Sequence, residues 1–129
     1  TTCALTDRIR AGAAICWMGN TQTLTQPGNN QTRGQSAFSM APPLLRSWMD
    51  YADVASLACP KPMLFFNGEQ DTLFPVDGVR AAYAVMESAW TAAAAGDRLV
   101  TKLWDVPHQF SVEMQEEAFA WLEKQLAGG

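Results

Sequence analysis

The run "PMLFFNG" (Pro62 to Gly68) is continuously apolar and closes on a turn signal. It predicts the central strand of a parallel sheet, which is buried on both faces and needs no alternation. "RIRAGAAICWM" (residues 8 to 18) gathers small and apolar residues after a charged start and predicts a second buried strand. "RLVTKLWDV" (Arg98 to Val106) alternates and is rich in β-branched residues, as in a strand nearer the sheet edge.

Helical periods lie between and after these runs. Val79, Tyr83, Met86 and Trp90 recur at i, i+4, i+7 and i+11, one stripe of a helix from about Pro75 to Ala95 that Gly96 stops. That spacing makes the stripe core. In "SVEMQEEAFAWLEKQL", Ser111 is placed to cap a last helix and Glu113 lies in its first turn. Met114, Ala118, Trp121 or Leu122, and Leu126 are expected to face inward there. "APPLLRSWMDYADVASLAC" (Ala41 to Cys59) predicts one or two short helices starting at the prolines. "GNTQTLTQPGNNQTRGQS" (Gly19 to Ser36) has no period and predicts a long polar surface loop. Strands alternating with helices imply an α/β fold of about three parallel strands joined by right-handed crossovers, in a single domain over 1–129.

Composition narrows the class. A length of 129 residues with 48% hydrophobic and 17% charged residues can hold a real core. A net charge of −4 invites neither nucleic acid nor an anionic membrane. No apolar run approaches the roughly 20 residues of a membrane span, and the first residues lack the order of a signal peptide. Cys3, Cys16 and Cys59 form an odd set without CxxC spacing, which argues against a disulfide framework and for a reducing cytoplasm. "NQT" at Asn30 to Thr32 matches a glycosylation sequon, a pattern common by chance.

Catalytic groups in an open α/β sheet gather at the carboxyl ends of the strands. Asp71 lies just past one predicted strand and His108, the only histidine, just past the next. A carboxylate so placed fixes the tautomer of an imidazole that takes a nucleophile's proton. Glu69 is the alternative carboxylate. Metal binding through Asp50, Asp53, Glu69, Asp71 or His108 is a further reading that ranks last, because no ligand spacing among them is diagnostic, and no cofactor is expected.

The segment "CPKPMLFFNGEQDTLFPVDGVRAAYAVMESAW", the "DVPHQF" stretch and the terminal "EEAFAWLEKQL" resemble the C-terminal half of α/β-hydrolases, in the dienelactone hydrolase and acetyl-xylan-esterase-like branch. The resemblance covers about Ile9 to Leu126 and is most specific over Pro60 to Pro75 with His108. It implies family strands six to eight, with Asp71 as the triad acid and His108 as the base. Pro107 departs from the glycine usual before that histidine. In this fold the nucleophile precedes the acid, in a G-x-S-x-G elbow between strand and helix, and the sequence contains no such motif. Ser36, in "GQSAF", has the right chain order but neither the second glycine nor a preceding strand. The resemblance puts Cys3 on the helix after the elbow, as a small buried residue. Cys16 reads as lying within its strand and Cys59 precedes a proline, so neither is expected to aim at the site.

The expectation is a hydrolase segment that carries the triad acid and histidine without the nucleophile or oxyanion donors, inactive alone. Residues 9 to 18 form an apolar strand whose pairing edge invites another chain. The expected partner is a second copy in a two-fold homodimer, or a chain supplying the other hydrolase half. A small-molecule ester is the substrate class implied. The alternative is a non-catalytic oligomeric or ligand-binding module that reuses the fold.

Overall fold

The computed structural model describes residues 2–29 and 45–127. Strands β1 (Gly12–Ile15), β2 (Met63–Gly68) and β3 (Leu99–Trp104) form one parallel sheet in the order β1-β2-β3. Gly12 pairs with Met63 and Met63 with Leu99, so all three strands point the same way and end at one sheet edge. The helices are α1 (Thr2–Leu5), α2 (Thr21–Leu24), α3 (Tyr51–Ser56), α4 (Val76–Ala92) and α5 (Val112–Ala127). This is an α/β arrangement, three parallel strands flanked by helices.

The continuous apolar character of β2 has a direct cause. Met63 and Phe65 face one side, where they pack with Val79, Met86 and Trp90 of α4. Leu64 and Phe66 face the other, against Met114 and Ala118 of α5. With helices on both faces, every residue of the strand is buried. The stripe Val79, Tyr83, Met86 and Trp90 is core as its spacing requires. On α5, Met114 and Ala118 are buried and Trp121 packs against the same cluster. Leu126, expected inward, is instead 53% exposed.

One loop expectation changes. Residues 19 to 29 are not featureless: Asn20 caps α2, its side chain accepting from Thr23 N at 2.9 Å, and Leu24 is fully buried. One apolar residue in a polar stretch anchors a whole helical turn. Of the one or two short helices expected over 41–59, a 3-10 turn at Leu45–Ser47 and α3, opened by the capping box of Asp50 with Asp53, lie among the described residues. The prolines, Asn30 to Thr32 and Ser36 lie outside the described residues. Among the described residues no helix is long and apolar enough to cross a membrane.

Candidate active site

The site starts from Gly68, the last residue of β2. A Cβ there would lie 2.2 Å from the Val106 carbonyl oxygen and 2.7 Å from that of Pro107. Only glycine lets the end of β2 pass so close to the segment leading to His108. The two strand-end loops are then laced together. Glu69 N donates to Trp104 O at 2.7 Å and Gln70 N to Val106 O at 3.1 Å. The Gln70 side chain donates to Asp105 Oδ1 at 2.7 Å.

This lacing brings the two predicted residues together: Asp71 Oδ2 and His108 Nδ1 are 2.8 Å apart. The other carboxylate oxygen, Oδ1, accepts from Leu73 N at 2.7 Å and Phe74 N at 3.1 Å, so the carboxylate is fixed in orientation. With Nδ1 donating to the carboxylate, Nε2 is left as the basic nitrogen. The Asp71 side chain has no solvent exposure, whereas that of His108 is 41% exposed, so the imidazole can meet a reacting group. Phe74 stacks on the ring with centroids 5.9 Å apart and limits its rotation.

The alternative carboxylate is engaged elsewhere, since Glu69 Oε1 pairs with Arg80 at 2.5 Å. Asp50 and Asp53 cap α3, and Asp50 also accepts from Thr21 N at 2.9 Å. Those three acids do not join Asp71 and His108.

Cys16 does, against expectation. β1 ends at Ile15, and Cys16 takes a left-handed backbone with φ 52° while its N–H still donates to Phe66 O at 2.7 Å. That turn sends the thiol to the carboxyl edge of the sheet, where Sγ donates to Gln109 O at 3.1 Å. Cys16, Asp71 and His108 each offer a donor atom within 4.8 Å of the others. Burial, and then the charge of Asp71, push the Cys16 thiol pKa up, so the neutral form persists beyond the ordinary thiol range and the residue is a poor nucleophile. The sequence signal that fits Cys16 is its position, the last of "AAIC", at the carboxyl end of a strand. Cys3 stays on α1, packed against the core cluster, and Cys59 Sγ faces Ala89 O.

No protein-family model matches the chain, and no curated protein does. Solved structures do. A glucuronoyl esterase of carbohydrate esterase family 15 from Caldicellulosiruptor kristjansonii superposes with a TM-score of 0.72 at 16% identity, over 98% of this chain and 39% of that one. A Pyrococcus furiosus esterase gives 0.55 at 18% identity, over 97% and 46%. Zea mays acyl-protein thioesterase 2 gives 0.52 at 14% identity, over 92% and 41%. At these identities the likeness speaks for the fold alone: the chain carries part of an α/β-hydrolase fold. It spans less than half the length of each of these structures.

Proposed function

We propose that this chain supplies the acid and the base of a carboxylic-ester hydrolase site, in the dienelactone hydrolase and acetyl-xylan-esterase-like branch. The observation that carries the reading is the 2.8 Å contact between Asp71 Oδ2 and His108 Nδ1 at the carboxyl edge of a parallel sheet. Esterases and a thioesterase among the structural neighbours support the substrate class. In the reaction, His108 Nε2 takes the proton of a hydroxyl nucleophile as it attacks the ester carbonyl, then returns it to the leaving alkoxide. Asp71 holds the ring and stabilises the imidazolium formed between those two transfers.

The nucleophile and oxyanion donors come, in this reading, from a segment bearing a G-x-S-x-G elbow seated beside β1. Two features favour that seat. β1 pairs with β2 on one side only among the described residues. An apolar cavity of about 340 Å³ opens beside it, lined by Cys3, Gly12, Ala14, Trp17, Tyr51 and Phe65, with neither Asp71 nor His108 at its wall. Alone, the chain is inactive and joins a second copy through the same strand.

Two measurements test this. Sedimentation of the 129-residue chain is expected to give a dimer, and a strict monomer overturns the self-association. Combined with an elbow-bearing hydrolase half, the chain is expected to hydrolyse a p-nitrophenyl ester, with turnover lost in His108→Ala. Assembly with no turnover means a non-catalytic module that has kept the fold.

A further inference from the structure

We propose that Cys16, Asp71 and His108 together bind a divalent cation of the zinc class, and that the bound ion withdraws the histidine and carboxylate from acid–base work. The three residues follow three different strands. Cys16 comes directly after β1, Asp71 two turn residues after β2, and His108 in the loop after β3. The parallel order puts all three strand ends at one edge, and one ligand atom from each residue lies within 4.8 Å of the others.

The donor set fits that class of ion. A thiolate, an imidazole and a carboxylate are each zinc ligands, at about 2.0 to 2.3 Å, which puts tetrahedral neighbours roughly 3.5 Å apart. Closing the present spread therefore takes a movement of about 1 Å, and His108 is the partner free to make it because its side chain is 41% exposed. Asp71 is held as a ligating carboxylate has to be, with Oδ1 on the Leu73 and Phe74 N–H groups and Oδ2 facing the site. Three protein ligands leave a fourth position open toward solvent, the pattern of zinc sites that also bind water.

Charge balances as well. Binding releases the Cys16 proton to solvent, shifts the ring proton of His108 from Nδ1 to Nε2 where Nδ1 is the ligand, and replaces the Sγ to Gln109 O and Nδ1 to Asp71 Oδ2 hydrogen bonds. Thiolate, carboxylate and neutral imidazole carry two negative charges, which one divalent cation neutralises. Magnesium and calcium, which prefer oxygen ligands, are poor matches for a sulfur donor.

The inhibitory consequence rests on the ester-hydrolase reading; the binding does not. The test is titration of the metal-stripped full chain with Co²⁺, in a thiol-free reductant. A thiolate-to-cobalt charge-transfer band reaching one ion per chain and bleached by Zn²⁺ is expected. Cys16→Ala is expected to lose the band and weaken Zn²⁺ binding by more than ~100-fold, beyond the cost of losing a supporting hydrogen bond. No band, or an unchanged band in Cys16→Ala, overturns the proposal. Should Cys16→Ala misfold, the His108 ring resonances of the unaltered chain give the second readout: a stoichiometric shift with Zn²⁺ supports the site, and unmoved resonances overturn it. With the elbow-bearing half present, turnover without zinc binding sinks this inference alone. Zinc binding by an assembly that shows no turnover even when metal-stripped sinks the ester-hydrolase reading alone.

Discussion

Cys16 Sγ donates a 3.1 Å hydrogen bond to the carbonyl of Gln109, the residue after His108, so the end of β1 is tied to the loop that carries the imidazole. The tie explains how a non-glycine residue sits at φ 52°, a conformation that costs an L-residue about 1–2 kcal/mol. The contact, the Cys16 N–H bond to Phe66 O and burial against Leu64 and Phe66 offset that strain.

The thiol is correspondingly protected. Because burial, and then the Asp71 charge, push its pKa up, Cys16 is expected to alkylate with iodoacetamide more slowly than a free peptide thiol, accelerating only as pH rises past the ordinary thiol range. Peptide mapping by mass spectrometry at several pH values checks this. Denaturant is expected to abolish the protection.

Replacing Asp71 by asparagine keeps an oxygen for the Leu73 and Phe74 N–H groups but turns an NH₂ toward His108 Nδ1. The imidazole then carries its proton on Nε2 instead of Nδ1. Long-range ¹H–¹⁵N spectra of the ring are expected to show that tautomer exchange, with the fold retained. An unchanged tautomer would falsify the pairing.

Gly68→Ala forces a Cβ into the Val106 and Pro107 carbonyls, both backbone and unable to swing aside. The expected loss is about 1–3 kcal/mol, by chemical denaturation. His108 resonances are expected to shift while those of α4 stay in place.

Tyr83 links α4 to β2 through its hydroxyl, 3.0 Å from Asn67 Oδ1 and 3.1 Å from Phe65 O, while Asn67 Nδ2 donates to Met18 O at 3.2 Å. Tyr83→Phe leaves the buried Asn67 Oδ1 without that donor and is expected to cost about 1–3 kcal/mol. Burial pushes the Tyr83 pKa far up, with the Cys16 and Glu87 charges adding to it. A raised folded-state pKa means the unfolded chain loses the proton first. The stabilisation is therefore complete below the ordinary tyrosine value of about 10 and falls as pH rises above it. Stability measured across that range is expected to decline less steeply in Tyr83→Phe.

Trp90 is fully buried in the larger core cluster, and its Nε1 donates to Lys61 O at 3.1 Å. Trp90→Ala opens a cavity under α4 and is expected to cost about 3–5 kcal/mol, enough to lower the melting temperature sharply in calorimetry.

The sequence by itself determined the elements whose pattern is set locally. The unbroken run of β2 and the stripe of α4 each express a burial demand over a few residues, so period alone locates them. It also placed Asp71 and His108 at strand ends, and the parallel order turned chain positions into a shared edge. The choice of Asp71 over Glu69 belonged to tertiary structure, because it depends on Gly68 admitting the Val106 backbone and on Arg80 engaging Glu69. Cys16 was decided there too. Nothing in "AAICWM" announces a left-handed residue; a hydrogen bond to Gln109, distant in the chain, and contacts with β2 and α5 select that conformation, and with it the neighbours of the thiol.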